Sequence, residues 1–175
     1  TLLSVVILFF TFPAAAQYYY KDIVGTKESN ALIATYRNNS VQKVTMKSFT
    51  VNNTPLDDLS VQQAFSPATK SLLTITQTPY QPVSYLVSIF DEEGKTVKAT
   101  DSAAGNISIT TYRYNTEGQL QSVYTQFGDP MAALKTDEHI WQYDGQARIS
   151  KMLRIKNGRD TSVVSFVLDE AGNVI

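Results

Sequence analysis

Apolar and polar residues alternate with a period of two along most of the chain, and turn signals interrupt the alternation at near-regular intervals. Val83, Tyr85, Val87 and Ile89 alternate against Ser84, Leu86 and Ser88. Ile149, Lys151, Leu153 and Ile155 do the same and run into Asn157-Gly158, the strongest two-residue hairpin signal. Thr, Ser, Gln and Lys fill the alternate positions, as on a sheet face that meets water. The pattern predicts strands over 41–51, 59–65, 71–78, 83–90, 95–101, 106–114, 119–127, 139–144, 147–156, 160–168 and from 173 onward. Ser102 to Asn106 is expected to turn the chain between two of them. One short helix is expected over Ser29 to Asn38, capped by Ser29, with an apolar stripe of Leu32, Ile33 and Tyr36. Asp129 to Lys135 reads as a helical turn or a loop.

The turns repeat. Phe90-Asp91-Glu92-Glu93-Gly94, Tyr114-Asn115-Thr116-Glu117-Gly118 and Leu168-Asp169-Glu170-Ala171-Gly172 share a large apolar residue, Asp or Asn, two tolerant positions and Gly. The Asp or Asn side chain accepts from backbone N–H groups just ahead of it, and Gly takes the left-handed conformation that closes the hairpin. Tyr143-Asp144-Gly145 reads as a shorter variant, and Phe65-Ser66-Pro67-Ala68-Thr69-Lys70 as a looser one. The spacing of about 25 residues marks stacked supersecondary units. The expectation is an all-β meander of consecutive antiparallel hairpins, extended or curled, with one short N-terminal helix.

Both ends of the chain carry information. Leu2 to Phe12 is an apolar run of signal-core length, too short to span a bilayer as a helix. Pro13-Ala14-Ala15-Ala16-Gln17 follows, with small residues where signal peptidase requires them. Residues 1–16 are thus expected to be a secretion signal cut between Ala16 and Gln17, itself short of its start. Residues 17–175 are expected to form a β-repeat domain that continues beyond Ile175, because the last turn stops where its return strand should begin. The protein is expected in the periplasm, at the cell surface or outside the cell, with no transmembrane segment in the mature chain.

Composition narrows the chemistry. The chain is 43% apolar and 18% charged, with 15 basic and 16 acidic residues and a net charge of −1. Charges are not clustered, so no nucleic-acid partner is expected. There is no Cys, which removes disulfides, thiol catalysis and thiolate metal sites. His139 is the sole histidine, in Asp137-Glu138-His139-Ile140-Trp141. It reads as a structural residue where a strand begins, since Glu138 and His139 point to opposite faces. No metal, cofactor or catalytic residue is expected. Asp91, Glu92 and Glu93 are turn residues rather than a carboxylate pair. Tyr112, Tyr114, Tyr124, Trp141 and Tyr143 are candidates for a glycan platform but more simply pack across strands. Asp101-Ser102-Ala103 resembles a short O-glycosylation motif of some Gram-negative envelopes, which makes Ser102 a candidate site. Asn38, Asn52 and Asn106 head Asn-x-Ser/Thr sequons.

Tyr112 to Leu120 (Tyr-Arg-Tyr-Asn-Thr-Glu-Gly-Gln-Leu) and Trp141-Gln142-Tyr143-Asp144-Gly145 resemble the YD repeat of the rearrangement-hotspot (RHS) family. That repeat runs Tyr, Asp or Asn, two residues, Gly, a basic residue, one residue and an apolar residue. The likeness covers about 88 to 175. It departs at Gln119, Asn173 and Leu168, and at the missing spacer after Asp144. The chain looks more like uncharacterised secreted proteins of Gram-negative bacteria with short runs of such hairpins. The resemblance implies fold and export. The leading expectation is a non-catalytic exported scaffold or binding protein of a bacterial envelope, its partner an envelope glycan or protein. The alternatives are a secreted carbohydrate- or peptide-acting enzyme, and part of a toxin-enclosing repeat shell. A transmembrane barrel fits less well, because Lys, Gln and Ser occur on both strand parities.

Overall fold

The computed structural model describes residues 15–170 and 174. Helix α1 (Ala15–Asn38) leads into β1 (Lys43–Phe49), β2 (Pro55–Ser66), β3 (Ser71–Gln77), β4 (Ser84–Phe90) and β5 (Thr96–Ala103). The chain continues through β6 (Asn106–Tyr114), β7 (Leu120–Gly128), β8 (Lys135–Tyr143), β9 (Ile149–Lys156) and β10 (Asp160–Ser165). All ten lie in one sheet in chain order. Every neighbouring pair is antiparallel. The fold is thus the expected all-β meander with one N-terminal helix, and β1 and β10 leave it open. A bridge between Leu168 and Val174 begins a further pairing.

The helix is longer than periodicity predicts. It begins at Ala15, and Ser29 lies in its middle rather than at its cap, with Oγ 2.9 Å from Thr96 Oγ1. The stripe that meets the sheet contains Tyr19, Asp22, Ile23, Thr26, Asn30, Ile33 and Tyr36. Those positions follow the three- and four-residue steps of a helix face, but polar members dilute the apolar signal. At the other end the helix stops with two paired bonds. Val41 N–H donates to Tyr36 O at 2.9 Å and Ser40 N–H to Arg37 O at 3.3 Å, with Ser40 at φ 53°. This is a Schellman closure, and Val41 packs on the cluster that holds Tyr36.

Three hairpin turns are one device. In each, the Asp or Asn N–H donates to the carbonyl four residues on: Asp91 to Lys95 at 2.9 Å, Asn115 to Gln119 at 2.9 Å, Asp144 to Arg148 at 2.8 Å. The side-chain oxygen accepts from that same residue's N–H at 2.8, 2.8 and 2.9 Å. The residue before it has left-handed φ: Gly94 at 87°, Gly118 at 78°, and Ala147 at 62°. Asp144 therefore heads a full-length turn. Ala147, not Gly145, takes the glycine position. Each turn is followed by a register shift, opposite Ile89/Phe90, Arg113/Tyr114 and Gln142/Tyr143. Asn157 and Gly158 both have positive φ (49° and 65°) at the β9–β10 hairpin. Asp169 is described, while Gly172 lies outside the described residues.

Strand parity decides which side chains α1 covers on β4, and the register shifts reset that parity on the return strands. Ser88 and Phe90 lie under the helix, whereas Tyr85, Val87 and Ile89 occupy the other face. On β9, Ile149 and Met152 join the covered cluster, while Leu153 and Ile155 take the far side. The alternation Ile149-Lys151-Leu153 is thus broken by a bulge, and the polar-looking parity of β4 is the covered one. Two clusters result: Ile33, Tyr36, Phe65, Leu72 and Phe90 under the C-terminal half of α1, and Leu120, Val123, Trp141, Met152 and Phe166 under Tyr19 and Ile23. The large residue preceding each repeated turn (Phe90, Tyr114, Tyr143) belongs to this covered row.

Residues following each turn reach the next one. Lys70 pairs with Glu92, Lys95 Nζ lies 5.5 Å from the Tyr114 ring and against Gly118, and Gln119 Nε2 donates to Ala147 O at 2.8 Å. The ladder fixes the stacking of successive hairpins.

An L-residue in the left-handed region costs about 1–2 kcal/mol relative to glycine, partly offset by the lower chain entropy it has when unfolded. Ala147→Gly should therefore raise stability by about 0.5–1 kcal/mol, and Gly118→Ala should lower it by about 1 kcal/mol or more. Urea denaturation of both variants checks the pair.

Candidate functional site

Between its two apolar clusters, α1 presents Thr26, Lys27 and Asn30 to the turns below. These side chains do not fill the space that Ile23 and Ile33 fill on either side. A cleft of about 410 Å³ results. Its floor is Tyr114, Leu120, Tyr143, Ile149 and Leu168; its rim is Gly118, Gln119, Ala147 and Arg148 from two repeated turns. That volume lies within the range of small-molecule pockets.

Polar atoms in the cleft are spent on the protein itself. Asn30 Oδ1 accepts from Thr96 N–H at 2.8 Å, and Tyr114 OH donates to Thr96 O at 2.8 Å. Tyr143 OH donates to Leu120 O at 2.7 Å, and Thr26 Oγ1 donates to Asp22 O at 2.5 Å. Gln119 Oε1 accepts from Asn115 at 3.0 Å, and Arg148 Nε donates to Asp144 at 3.0 Å. Among the described residues, the Lys27 ammonium is the lining group left without a protein partner. Burial raises the Tyr114 phenol and pushes that of Tyr143 up to about 12. The surface is apolar, internally satisfied and carries one free cation.

A second polar group holds the N-terminal half of α1. Arg154 forks onto Asp137, with Nε 2.9 Å from Oδ1, and its Nη1 donates to Tyr19 OH at 2.7 Å. The Arg154 hydrogen bonds hold the Asp137 carboxyl below the usual carboxylate range, against the opposing effect of its burial. His139 Nδ1 lies 2.6 Å from Asp22 Oδ2, and Nε2 faces Asp137 Oδ1 at 3.5 Å without hydrogen-bond alignment. This arrangement clamps helix to sheet.

The sequence candidates are distributed as follows. His139 is structural in its contacts but sits inside β8, which starts at Lys135, and not where a strand begins. Glu138 is on the opposite face with Thr111, Arg113, Ser122 and Tyr124. Tyr112, Tyr114, Trp141 and Tyr143 pack on the covered face, and Tyr124 alone of the five is on the other. Ser102 belongs to β5, paired with Tyr85 and Ile107, because the turn is only Ala104-Gly105 (φ 51° and 79°). Asn38 ends α1, while Asn52 and Asn106 are exposed beside turns. The expected turn or loop over Asp129 to Lys135 is a loop that ends at Leu134, where β8 begins at Lys135; Asp129 Oδ1 accepts from Met131 N–H at 2.8 Å. Ala16 and Gln17 fall in the first turn of α1, and the Leu2–Phe12 run lies outside the described residues. Sequence reasoning missed Asp22, Lys27 and Asn30, which are polar helix residues with no motif around them. No helix among the described residues is long and apolar enough to cross a membrane. No protein-family model matches the chain, and no curated protein matches it in sequence.

The clamp has an acid signature. A carboxyl with a depressed pKa contributes stability that is present above its unfolded pKa and is lost as pH falls through the folded value. Arg154→Ala should cost about 2–3 kcal/mol at neutral pH and flatten the acid limb of the stability profile. Tyr112 and Tyr143 give the opposite sign. Their phenols are pushed up from 10.0 to about 12 by burial, so their contribution is present below 10 and is lost between pH 10 and about 12. Thermal melts across pH, with tyrosinate absorbance above pH 9, check both limbs.

Proposed function

We propose that the chain is a non-catalytic, exported β-repeat protein of a bacterial envelope that acts by binding, with the cleft under α1 as its site. The observation that carries this reading is the cleft's internal satisfaction. Its polar atoms, Lys27 aside, are committed to hydrogen bonds within the protein, which suits shape-and-charge recognition rather than proton or group transfer. His139 is committed elsewhere, between Asp22 and Asp137.

Export is supported by the Leu2–Phe12 run and the Ala14-Ala15-Ala16 site. The repeated turns fit the YD-like resemblance, with Arg148 in the basic position after Ala147.

Expressed in a Gram-negative host behind an initiating Met and a short basic segment, the chain should be recovered from the periplasm or medium with Gln17 as its first residue. N-terminal sequencing of the fractions reads this directly. Recovery of uncleaved chain from the cytosol alone would sink the export reading.

A further inference from the structure

We propose that the cleft binds a small amphipathic anion, a medium-chain carboxylate whose head lies at Lys27 and whose chain packs on Ile23, Leu120, Ile149 and Leu168. This rests on the reading of the cleft as a binding site and adds the class of ligand.

Charge selects the head. The lining contains two cations, Lys27 and Arg148, and no carboxylate, in a chain whose net charge is −1. Arg148 is already engaged by Asp144, with Nη2 2.9 Å from Oδ2. Lys27 has no such partner, so it supplies the unneutralised charge. It is exposed at the mouth, where a carboxylate can meet it while keeping part of its own hydration. A cationic head would face repulsion from Lys27.

The floor selects the tail. Aliphatic side chains from α1, β7, β9 and the segment after β10 meet two tyrosines whose hydroxyls are already bonded. A sugar or peptide placed there would lose hydration from its own polar groups while the O–H donors of Tyr114 and Tyr143 are already committed to the protein. An alkyl chain loses nothing by the same burial.

Calorimetric titration of the folded chain with decanoate, decanol and decyltrimethylammonium, each below its micellar range, tests the assignment. Decanoate should bind saturably, one per chain, about tenfold or more tighter than the other two. Lys27→Glu, an exposed helix position, should weaken decanoate about tenfold or more, and Lys135→Glu at the start of β8 should leave it unchanged. Ile149→Trp should block the cleft and remove binding. Equal binding of all three ligands, insensitive to Lys27→Glu but lost in Ile149→Trp, overturns the anionic head and keeps the cleft as a site. Absence of saturable binding, or binding that persists in a folded Ile149→Trp variant, overturns the cleft itself.

Discussion

Everything in this molecule depends on one helix lying across the ends of successive hairpins. Strands are about 4.8 Å apart, so each hairpin adds roughly 9.6 Å across the sheet, and a helix covers that distance in six to seven residues. The docked positions of α1 keep that step. Tyr36 and Ile33 meet Phe65 and Phe90, Asn30 meets Tyr114 and Thr96, and Ile23 and Tyr19 meet the cluster of Trp141 and Met152. A chain repeat of about 25 residues is thus matched to a helix repeat of about seven. The large residue before each turn is the point where the two repeats touch.

The match is apolar at both ends of the helix and polar in the middle, and the cleft follows from that. Asn30 and Ser29 spend their side chains on Thr96, holding the backbone of β5 to the helix. Thr26 bonds back to its own helix at Asp22 O. None of the three reaches the next pair of turns, so the space over Leu120 and Ile149 stays open. The Asp22–His139 and Tyr19–Arg154 contacts then hold the N-terminal half of α1 down on the far side. Anchored at both ends, the helix spans the gap without closing it.

The other face of the sheet follows from strand parity together with the bulges. Each repeated turn is followed by one extra residue on the return strand, so Ile149 lies under α1 while Leu153 and Ile155 lie opposite; β4 keeps a single parity, with Phe90 under α1 and Val87 and Ile89 opposite. Apolar β-branched residues there pack against cross-strand neighbours such as Leu73 with Val87 and Ile140 with Leu153. Hydrophobicity by itself is therefore a poor guide to which face the helix covers. Buried Ser88 and half-exposed Ile89 are adjacent in the chain and on opposite sides of the sheet.

The sequence by itself determined the meander, the places where it turns, and the repeat. Those features are local: alternation sets strands, and an Asp or Asn side chain closes a turn using atoms at most four residues away. It also located His139 away from Glu138, since strand parity is local too. Only the tertiary structure decided the length of α1, the face it covers, the glycine-like role of Ala147 and the cleft beside Lys27. The docked stripe of α1 is half polar, and those polar residues are satisfied by Thr96, His139 and Arg154, far away in the chain. Gly145 drew attention because glycine favours left-handed φ, but strand pairing between Tyr143 and Ile149 forced that conformation on Ala147 instead. Pairing between the two arms of the hairpin outweighed a single-residue preference of about 1 kcal/mol.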